Sequence, residues 1–381
     1  MVADTDNILS VAQGEFVLER LPKRPRELLR AFDAADEYML NYLSTALPLT
    51  TSARLLILND SFGALAVALH HFQPSAISDS FLSQQATKLN LATNAIAEDS
   101  VRLISSVTPL SGEFDWILIK APKTLALLED QLIKLRRCLT TNTQIIVAGM
   151  IKNLPASLWK MLERLVGQTT TSLAQKKARL IFVKPELTLA IPENPYPIYY
   201  QLENTVYRIV NHANVFSRDS LDIGTRFFLQ HLPSGDEYWE LIDLGCGNGV
   251  VGLIAAERNP NATLHFVDES FMAVASAQEN FRNAFGNSKS ATFQVGDGLT
   301  DFTSASADKV LCNPPFHHQH TIGDHLALSM FKDARRVLRK GGELWVIGNR
   351  HLNYHISLKR LFGNCALITE NSKFAIWMAK N

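Results

Sequence analysis

The same series of apolar strands and helices occurs twice along the 381-residue chain. RLLILNDSFGALAVAL in the first half has the pattern of ELIDLGCGNGVVGLIA in the second, and SAISDSFLSQQATKLN resembles LHFVDESFMAVASAQEN. FDWILIKAPK and KLRRCLTTNTQIIVAG then pair, in the same order, with ADKVLCNPPF and DARRVLRKGGELWVIG. Four matched blocks in one order favour a tandem duplication over two unrelated domains of the same class. Because strands alternate with helices, each copy is predicted to be a parallel, doubly wound α/β sheet.

The two copies set the expected domain boundaries. Residues 1–185 form the first domain and residues 206–381 the second, and the proline-rich segment 186–205 is interpreted as a linker. Within the first copy, the spacing of apolar residues predicts an amphipathic helix over residues 25–47.

Composition excludes several classes of protein. Lys+Arg and Asp+Glu are both 37, so binding to nucleic acid by bulk charge alone is not expected, although a local basic patch remains open. None of the four cysteines lies in a C-x-x-C pair, which argues against a zinc ribbon or a disulfide framework and favours a cytoplasmic location. The sequence has no signal-peptide pattern and no run of ~18 apolar residues, so no membrane segment is predicted.

A glycine-rich loop follows the first apolar strand of the second copy. Gly245, Gly247 and Gly249 allow positive φ angles and let a ligand lie against the backbone, although a tight turn without a ligand has the same pattern. The dinucleotide fingerprint needs glycine or alanine at the position of Val250, and no Gly-Lys-Ser/Thr of a Walker loop is present. These two departures argue against a dinucleotide oxidoreductase and a nucleoside-triphosphate site.

Three aspartates stand near this loop in the sequence. Asp243 precedes the first glycine by two positions, and Asp268 ends the next strand, where a carboxylate can accept the hydroxyls of a ribose. Asp297 ends the third strand, where it could accept an adenine amino group. This arrangement resembles the S-adenosylmethionine site of class I methyltransferases.

The fourth strand runs into Asn313, Pro314, Pro315 and Phe316, followed by a histidine cluster. Two prolines after an asparagine also make a stiff turn, but after such a glycine loop the motif resembles that of methyltransferases acting on planar amino nitrogens. Two carbonyl acceptors, on the Asn313 side chain and the Pro314 backbone, would hold such a nitrogen, and Phe316 would stack on the base. His317, His318 and His320 lack an acidic or cysteine partner, so a wall of the base pocket is favoured over a metal site.

Nearly the whole chain resembles the bacterial ribosomal RNA guanine-N2 methyltransferases, which have two tandem methyltransferase-like domains. LILNDSFGAL, NHANVFSRDSLDIGT, DLGCGNGVVGL and VLCNPPFHHQH carry this resemblance. It implies a Rossmann-like class I fold, with S-adenosylmethionine as cofactor and the 2-amino group of a guanine in large-subunit (23S) ribosomal RNA as acceptor. It identifies residues 211–225 as a lid over cofactor and base. No metal is expected, and no obligate protein partner is evident from the sequence.

The resemblance also implies which residues of the second copy form the site. They are Asp243, Gly245, Gly247, Gly249 and Asp268 for the cofactor, with Asp297 less secure because the family varies there, and Asn313, Pro314, Pro315 and Phe316 for catalysis.

The first copy departs from this pattern. Asn59 and Ser61 stand where the second copy has Gly245 and Gly247, and Lys120 stands in place of Asn313. This copy is therefore predicted to be catalytically inactive. Its slight excess of basic residues suggests RNA docking, with a solvated basic face as the alternative. The candidate docking residues are Lys120, Lys123, Lys176, Lys177 and Arg179.

Three other functions fit parts of the pattern. One is methylation of guanine in small-subunit ribosomal RNA, and a second is methylation of adenine in nucleic acid or of glutamine in protein. The third is a non-catalytic RNA-binding module, against which the intact Asp243, Asp268 and Asn313 argue.

Overall fold

A computed structural model describes residues 7–23, 27–46, 52–315 and 320–381. The chain forms two compact units, Met1–Pro195 and Tyr196–Asn381. The boundary lies inside the predicted linker, but both halves of that segment are structured. The guanidinium group of Arg136 donates to the carbonyl oxygens of Glu186, Leu187 and Leu189, which ties the first half to the N-terminal unit.

The N-terminal unit begins with a two-stranded hairpin and continues with alternating strands and helices. Its strands are β1 (Ile8–Val11), β2 (Gly14–Val17), β3 (Leu55–Leu58), β4 (Ser75–Ser78), β5 (Arg102–Ser105), β6 (Trp116–Lys120), β7 (Gln144–Met150), β8 (Thr169–Thr171) and β9 (Ala178–Val183). Its helices are α1 (Ala34–Ala46), α2 (Ala64–Ala68), α3 (Phe81–Thr93), α4 (Leu125–Leu135) and α5 (Ala156–Leu165).

The C-terminal unit repeats this plan. Its strands are β10 (Ile198–Gln201), β11 (Arg208–Asn211), β12 (Glu240–Leu244), β13 (Thr263–Asp268), β14 (Ala291–Val295), β15 (Ala307–Cys312), β16 (Leu338–Asn349), β17 (Ala366–Glu370) and β18 (Phe374–Lys380). Its helices are α6 (Ile223–Gln230), α7 (Val250–Arg258), α8 (Phe271–Phe285), α9 (His320–Val337) and α10 (Tyr354–Phe362).

Each unit contains a seven-stranded sheet, and the two sheets have the same strand order. The first runs β5-β4-β3-β6-β7-β9-β8 and the second β14-β13-β12-β15-β16-β18-β17. The predicted α/β fold in two tandem copies is confirmed. The prediction of a wholly parallel sheet is wrong, because β9 and β18 run antiparallel to their neighbours on both sides. A final antiparallel pair needs only a short turn, whereas a parallel strand would need another crossover.

The central strands are buried because helices cover both faces of each sheet. All four residues of β3 and four of the five residues of β12 are buried. Their alternate side chains enter two separate apolar clusters in each unit. Near-continuous apolar runs of this kind are typical of central parallel strands.

A buried asparagine occupies the same place in both units. Asn280 on α8 accepts a hydrogen bond from the Val210 amide and donates to the Val210 and Asn248 carbonyl oxygens. Asn90 on α3 accepts from the Glu19 amide and donates to the carbonyl oxygens of Glu19 and Phe62. In both units this side chain joins the segment preceding the sheet to the turn after the first central strand.

The predicted helix over residues 25–47 is shorter in the structure. Helix α1 begins at Ala34, and residues 24–26 and 47 lie outside the described residues. Asp33 ends the preceding segment, because its carboxylate accepts the Ala35 amide at 2.9 Å while the Asp36 carboxylate accepts the Asp33 amide at 2.8 Å. Such reciprocal capping satisfies the free amides of a first turn and fixes where the helix starts.

Helices long and apolar enough to cross a bilayer are not found in the described ranges.

Candidate active site

The glycine loop and the Asn-Pro-Pro segment leave two adjacent strands at the same edge of the second sheet. β12 pairs in parallel with β15, with Leu244 opposite Cys312. Gly245 and Asn313 are the next residues on each strand. The connections from β12 and β15 lead to opposite sides of the sheet order, so this edge is a topological switch point, where open α/β sheets bind ligands.

The three loop glycines have different local requirements. All have positive φ, with values of 71° at Gly245, 54° at Gly247 and 78° at Gly249. A Cβ atom on Gly249 would lie 2.7 Å from the Ala277 Cβ, so this glycine permits close packing of the loop on α8. A Cβ atom on Gly247 would have no neighbour within 4 Å, so this part of the backbone faces open space. That combination fits a ligand lying against Gly247.

Two aspartate side chains hold the loop in this shape. Asp268 accepts the Gly247 amide at 2.9 Å through one oxygen and the Ser270 amide at 2.9 Å through the other. Asp243 is 2% exposed and accepts the Gly252 amide at 2.8 Å, which fixes the first turn of α7. Burial, together with the charge of Asp268, raises the pKa of Asp243 to about 8.

Asp297 follows the end of β14, beside β13 in the sheet. Partial desolvation and the charge of Asp301 raise the pKa of its carboxyl group. Its backbone carbonyl oxygen accepts the Thr300 hydroxyl at 2.7 Å, so a turn holds this residue at the carboxyl edge of the sheet.

A cluster of polar side chains, which the sequence motifs did not predict, joins the glycine loop to the strands β10 and β11. The Asn248 side chain donates to Tyr200 Oη at 3.1 Å and to Asn211 Oδ1 at 2.9 Å, and it accepts the Val250 amide. Asn211 begins the predicted lid, residues 211–225. The only sequence signal for this cluster was Asn248 itself, and the glycine-loop motif allows any residue at that position.

The nitrogen of the Asn313 side-chain amide makes a hydrogen bond within the described residues, whereas its oxygen makes none. Its Nδ2 donates to Thr225 Oγ1 at 3.0 Å. Its Oδ1 is buried and has no hydrogen-bond partner in the part of the chain that the structure describes. A buried carbonyl oxygen without a donor is costly, and such an atom is explained when a ligand supplies the donor. Pro314 is buried and Pro315 exposed, whereas Phe316, His317 and His318 lie outside the described residues.

Thr225 and Asp222 were also missed by motif reading. Both belong to residues 211–225, which sequence resemblance identified only as a lid. Asp222 caps the N-terminus of α6 by accepting the Thr225 amide at 2.8 Å, and the Thr225 hydroxyl lies 3.3 Å from the same Asp222 oxygen. The aspartate-x-x-threonine spacing predicts a cap, but no local pattern shows that Thr225 reaches Asn313.

Hydrogen-bonded side chains stand in the corresponding loop of the N-terminal unit. Asn59 exchanges two hydrogen bonds of 2.9 Å with Gln131. The carboxylate of Asp60 accepts three amides in the first turn of α2, from Ala64, Leu65 and Ala66, at 2.9 to 3.0 Å. At the position of Gly245, the N-terminal unit therefore has a side chain that is bonded within the protein.

Lys120, which replaces Asn313 in this unit, is not a free surface cation. Its ammonium group lies 2.7 Å from both Asp33 and Asp36, and its side chain is 14% exposed. The prediction of Lys120 as a docking residue is therefore wrong, because two carboxylates already neutralise it. Lys176 is also paired, 2.6 Å from Glu37, but its side chain is 76% exposed.

Groups of three or more metal-ligating side chains do not occur within the described ranges.

Two family models together match most of the chain. The RLMG N-terminal domain matches residues 6–187, and the methyltransferase small domain matches residues 206–378.

Curated relatives match over nearly their full length. A protein of Streptomyces coelicolor named ribosomal RNA large subunit methyltransferase G is 49% identical over 373 residues, which cover 96% of this chain and 98% of that protein. A protein of the same name from Ectopseudomonas mendocina is 49% identical over 363 residues, covering 95% of this chain and 96% of the relative.

A solved structure has the same fold over both units. The 16S rRNA N2 methyltransferase RsmC of T. thermophilus, in complex with AdoMet and guanosine, matches with a TM-score of 0.76 at 20% identity. The match covers 98% of this chain and 97% of that one.

Proposed function

This chain belongs to the ribosomal RNA large subunit methyltransferase G family, and from that premise we propose that it methylates the exocyclic 2-amino group of a guanine in 23S ribosomal RNA, with S-adenosylmethionine as the methyl donor. The observation that carries the proposal is the buried Oδ1 of Asn313 next to the glycine loop, which has no hydrogen-bond partner among the described residues. Large-subunit ribosomal RNA is then the partner and the cytoplasm the place of action.

The glycine loop and its carboxylates would hold the cofactor. Gly247 offers backbone that a ligand can approach, and Asp268 shapes the loop while standing at the end of β13, where a ribose is bound in related folds. Asp243 acts through Gly252 and α7, and Asp297 is the candidate for an adenine amino group. S-adenosylmethionine, when bound, supplies an electrophilic methyl group at this edge of the sheet.

Asn313 and Pro314 would hold the acceptor amine. The lone pair of a guanine 2-amino group is delocalised into the ring, so the amine is a poor nucleophile until its hydrogens are held and positive charge on nitrogen is stabilised. Asn313 Oδ1 is a carbonyl acceptor in a buried place, where such stabilisation is strongest. The Pro314 carbonyl is the second candidate acceptor, and Phe316 is the candidate stacking partner for the base.

The product is the direct test of this proposal. Large-subunit RNA from a strain lacking the gene is incubated with the full-length enzyme and labelled cofactor, and its nucleosides are separated by mass spectrometry. We expect label in N2-methylguanosine. Label in 6-methyladenosine, in small-subunit RNA or in protein would contradict the acceptor while leaving a methyltransferase.

The N-terminal unit is proposed to dock the RNA. One base offers little surface for binding, and in this unit Asn59, bonded to Gln131, stands in place of a loop glycine, so that a role other than catalysis is expected. Lys177 is the clearest candidate contact. It lies in a two-residue turn closed by hydrogen bonds between Gln175 and Ala178, with φ values of 46° at Lys176 and 64° at Lys177. This turn presents Lys177 as an exposed residue.

Lys177→Asn is expected to weaken RNA binding and to reduce its salt dependence. Asparagine tolerates positive φ, so the turn keeps its shape while one charge is lost. Loss of one phosphate contact reduces the steepness of log K against log salt by about 0.7 to 0.9, the values for single strands and for B-DNA. Filter binding at several salt concentrations measures this. Lys340→Asn in the other unit is the matched control, and equal slopes for both variants would remove Lys177 from the docking surface.

A further inference from the structure

We infer that Thr225 and Asp222 are positioning residues that orient the side-chain amide of Asn313, so that its oxygen and not its nitrogen meets the acceptor amine. The inference rests on the proposed function, because it concerns how the catalytic asparagine is set for that reaction.

An asparagine amide presents two chemically opposite ends of nearly the same shape. Oδ1 accepts hydrogen bonds, whereas the Nδ2 group donates them. The amine that accepts the methyl group is a hydrogen-bond donor with two N–H groups. It is therefore held by Oδ1 and repelled by Nδ2. Rotation of the Asn313 amide by half a turn would therefore convert the site from one that holds the amine to one that rejects it.

A chain of hydrogen bonds decides between these two orientations. Asp222 Oδ2 accepts a hydrogen bond from Thr225 Oγ1, which lies 3.3 Å away. The Thr225 hydroxyl donates its one hydrogen to that carboxylate and has only lone pairs left for Asn313. It must therefore face Nδ2, which lies 3.0 Å away, and Oδ1 is left for the substrate.

The two residues that orient Asn313 are held at the start of α6. Asp222 caps α6, and Thr225 is 6% exposed. A Cβ atom on Gly224 would lie 3.0 Å from the Asp222 carboxylate and 3.1 Å from the Phe374 ring, so the first turn of α6 packs tightly against β18. Thr225 and Asp222 thus reach the site from an element independent of the loop that carries Asn313.

Thr225→Val tests the inference because valine keeps the shape and removes the hydroxyl. We expect kcat to fall about 10-fold or more, while the RNA KM, the cofactor Kd and the thermal midpoint stay near those of the parent. Thr225→Ser, which restores the hydroxyl, should recover most of the rate. Thr369→Val in β17 is the matched control and should leave kcat unchanged.

A double variant separates orientation from structural support. Without the Asn313 amide there is nothing to orient, so Thr225→Val should cause no further loss in an Asn313→Ala background, where labelled cofactor detects the residual rate. A parental kcat for Thr225→Val, an equal loss for Thr225→Ser, or the same fold-loss in both backgrounds would overturn the inference. Failure of the proposed function shows separately, as parental enzyme that makes no N2-methylguanosine.

Discussion

Alanine at position 313 should lower the rate of methyl transfer by about 100-fold or more, which is the cost of removing one preorganised acceptor of transition-state charge. Affinity for S-adenosylmethionine should stay within a few-fold, because the bonds that shape the glycine loop come from Asp268 and Asp243 and not from Asn313. Single-turnover methylation with labelled cofactor and calorimetry of cofactor binding measure the two quantities.

Asn287→Ala is the matched control for this variant. Asn287 is an exposed asparagine in the turn after α8, so its removal should change neither quantity. A parental rate for Asn313→Ala would mean that the Asn-Pro-Pro segment acts only as a turn, and equal loss of rate and cofactor affinity would mean that Asn313 supports the loop.

Asparagine at position 247 should abolish measurable cofactor binding, with a loss of roughly 100-fold or more in affinity, which corresponds to about 2.7 kcal/mol. The backbone φ of 54° is one that asparagine adopts, and a Cβ there meets no protein atom within 4 Å. The variant should therefore fold, with its new side chain in the space that the cofactor is proposed to use.

Gly363→Asn separates this effect from backbone strain. Gly363 ends α10 with a φ of 76°, and a Cβ on it also meets nothing within 4 Å. Calorimetry should find one cofactor site per chain in the parent and in Gly363→Asn, and none in Gly247→Asn. A second site in the parent would contradict an inactive N-terminal unit, and retained binding in Gly247→Asn would place the cofactor elsewhere.

The parts of this molecule that sequence predicted are those whose signal is local. The apolar strands, the glycine loop and the Asn-Pro-Pro motif are each continuous, and the order of elements then places both motifs at one sheet edge. The duplication was readable for the same reason, because it repeats whole strand–turn–helix blocks.

What sequence did not predict are pairs formed between distant positions. Thr225 and Asn313 are 88 residues apart, and Asn59 and Gln131 are 72 residues apart. Neither pair has a periodicity or spacing of its own, so each becomes visible only when tertiary packing brings the two side chains together. The prediction of Lys120 as a docking residue was wrong for the same reason, because the sequence shows the lysine but not that Asp33 and Asp36 lie beside it.

The bonds made by the replaced residues of the N-terminal unit also bear on whether this unit could gain catalytic activity. Asn59 is bonded to Gln131, Asp60 to three helix amides and Lys120 to two aspartates. Changing Asn59 or Lys120 to its counterpart in the second unit would leave a buried polar partner, Gln131 or Asp36, without its hydrogen bond, which costs stability before any function is gained. The divergence of the two copies is therefore hard to reverse. Each replaced residue now contributes to the stability of the N-terminal unit, and restoring the residue of the second unit would first give a less stable protein.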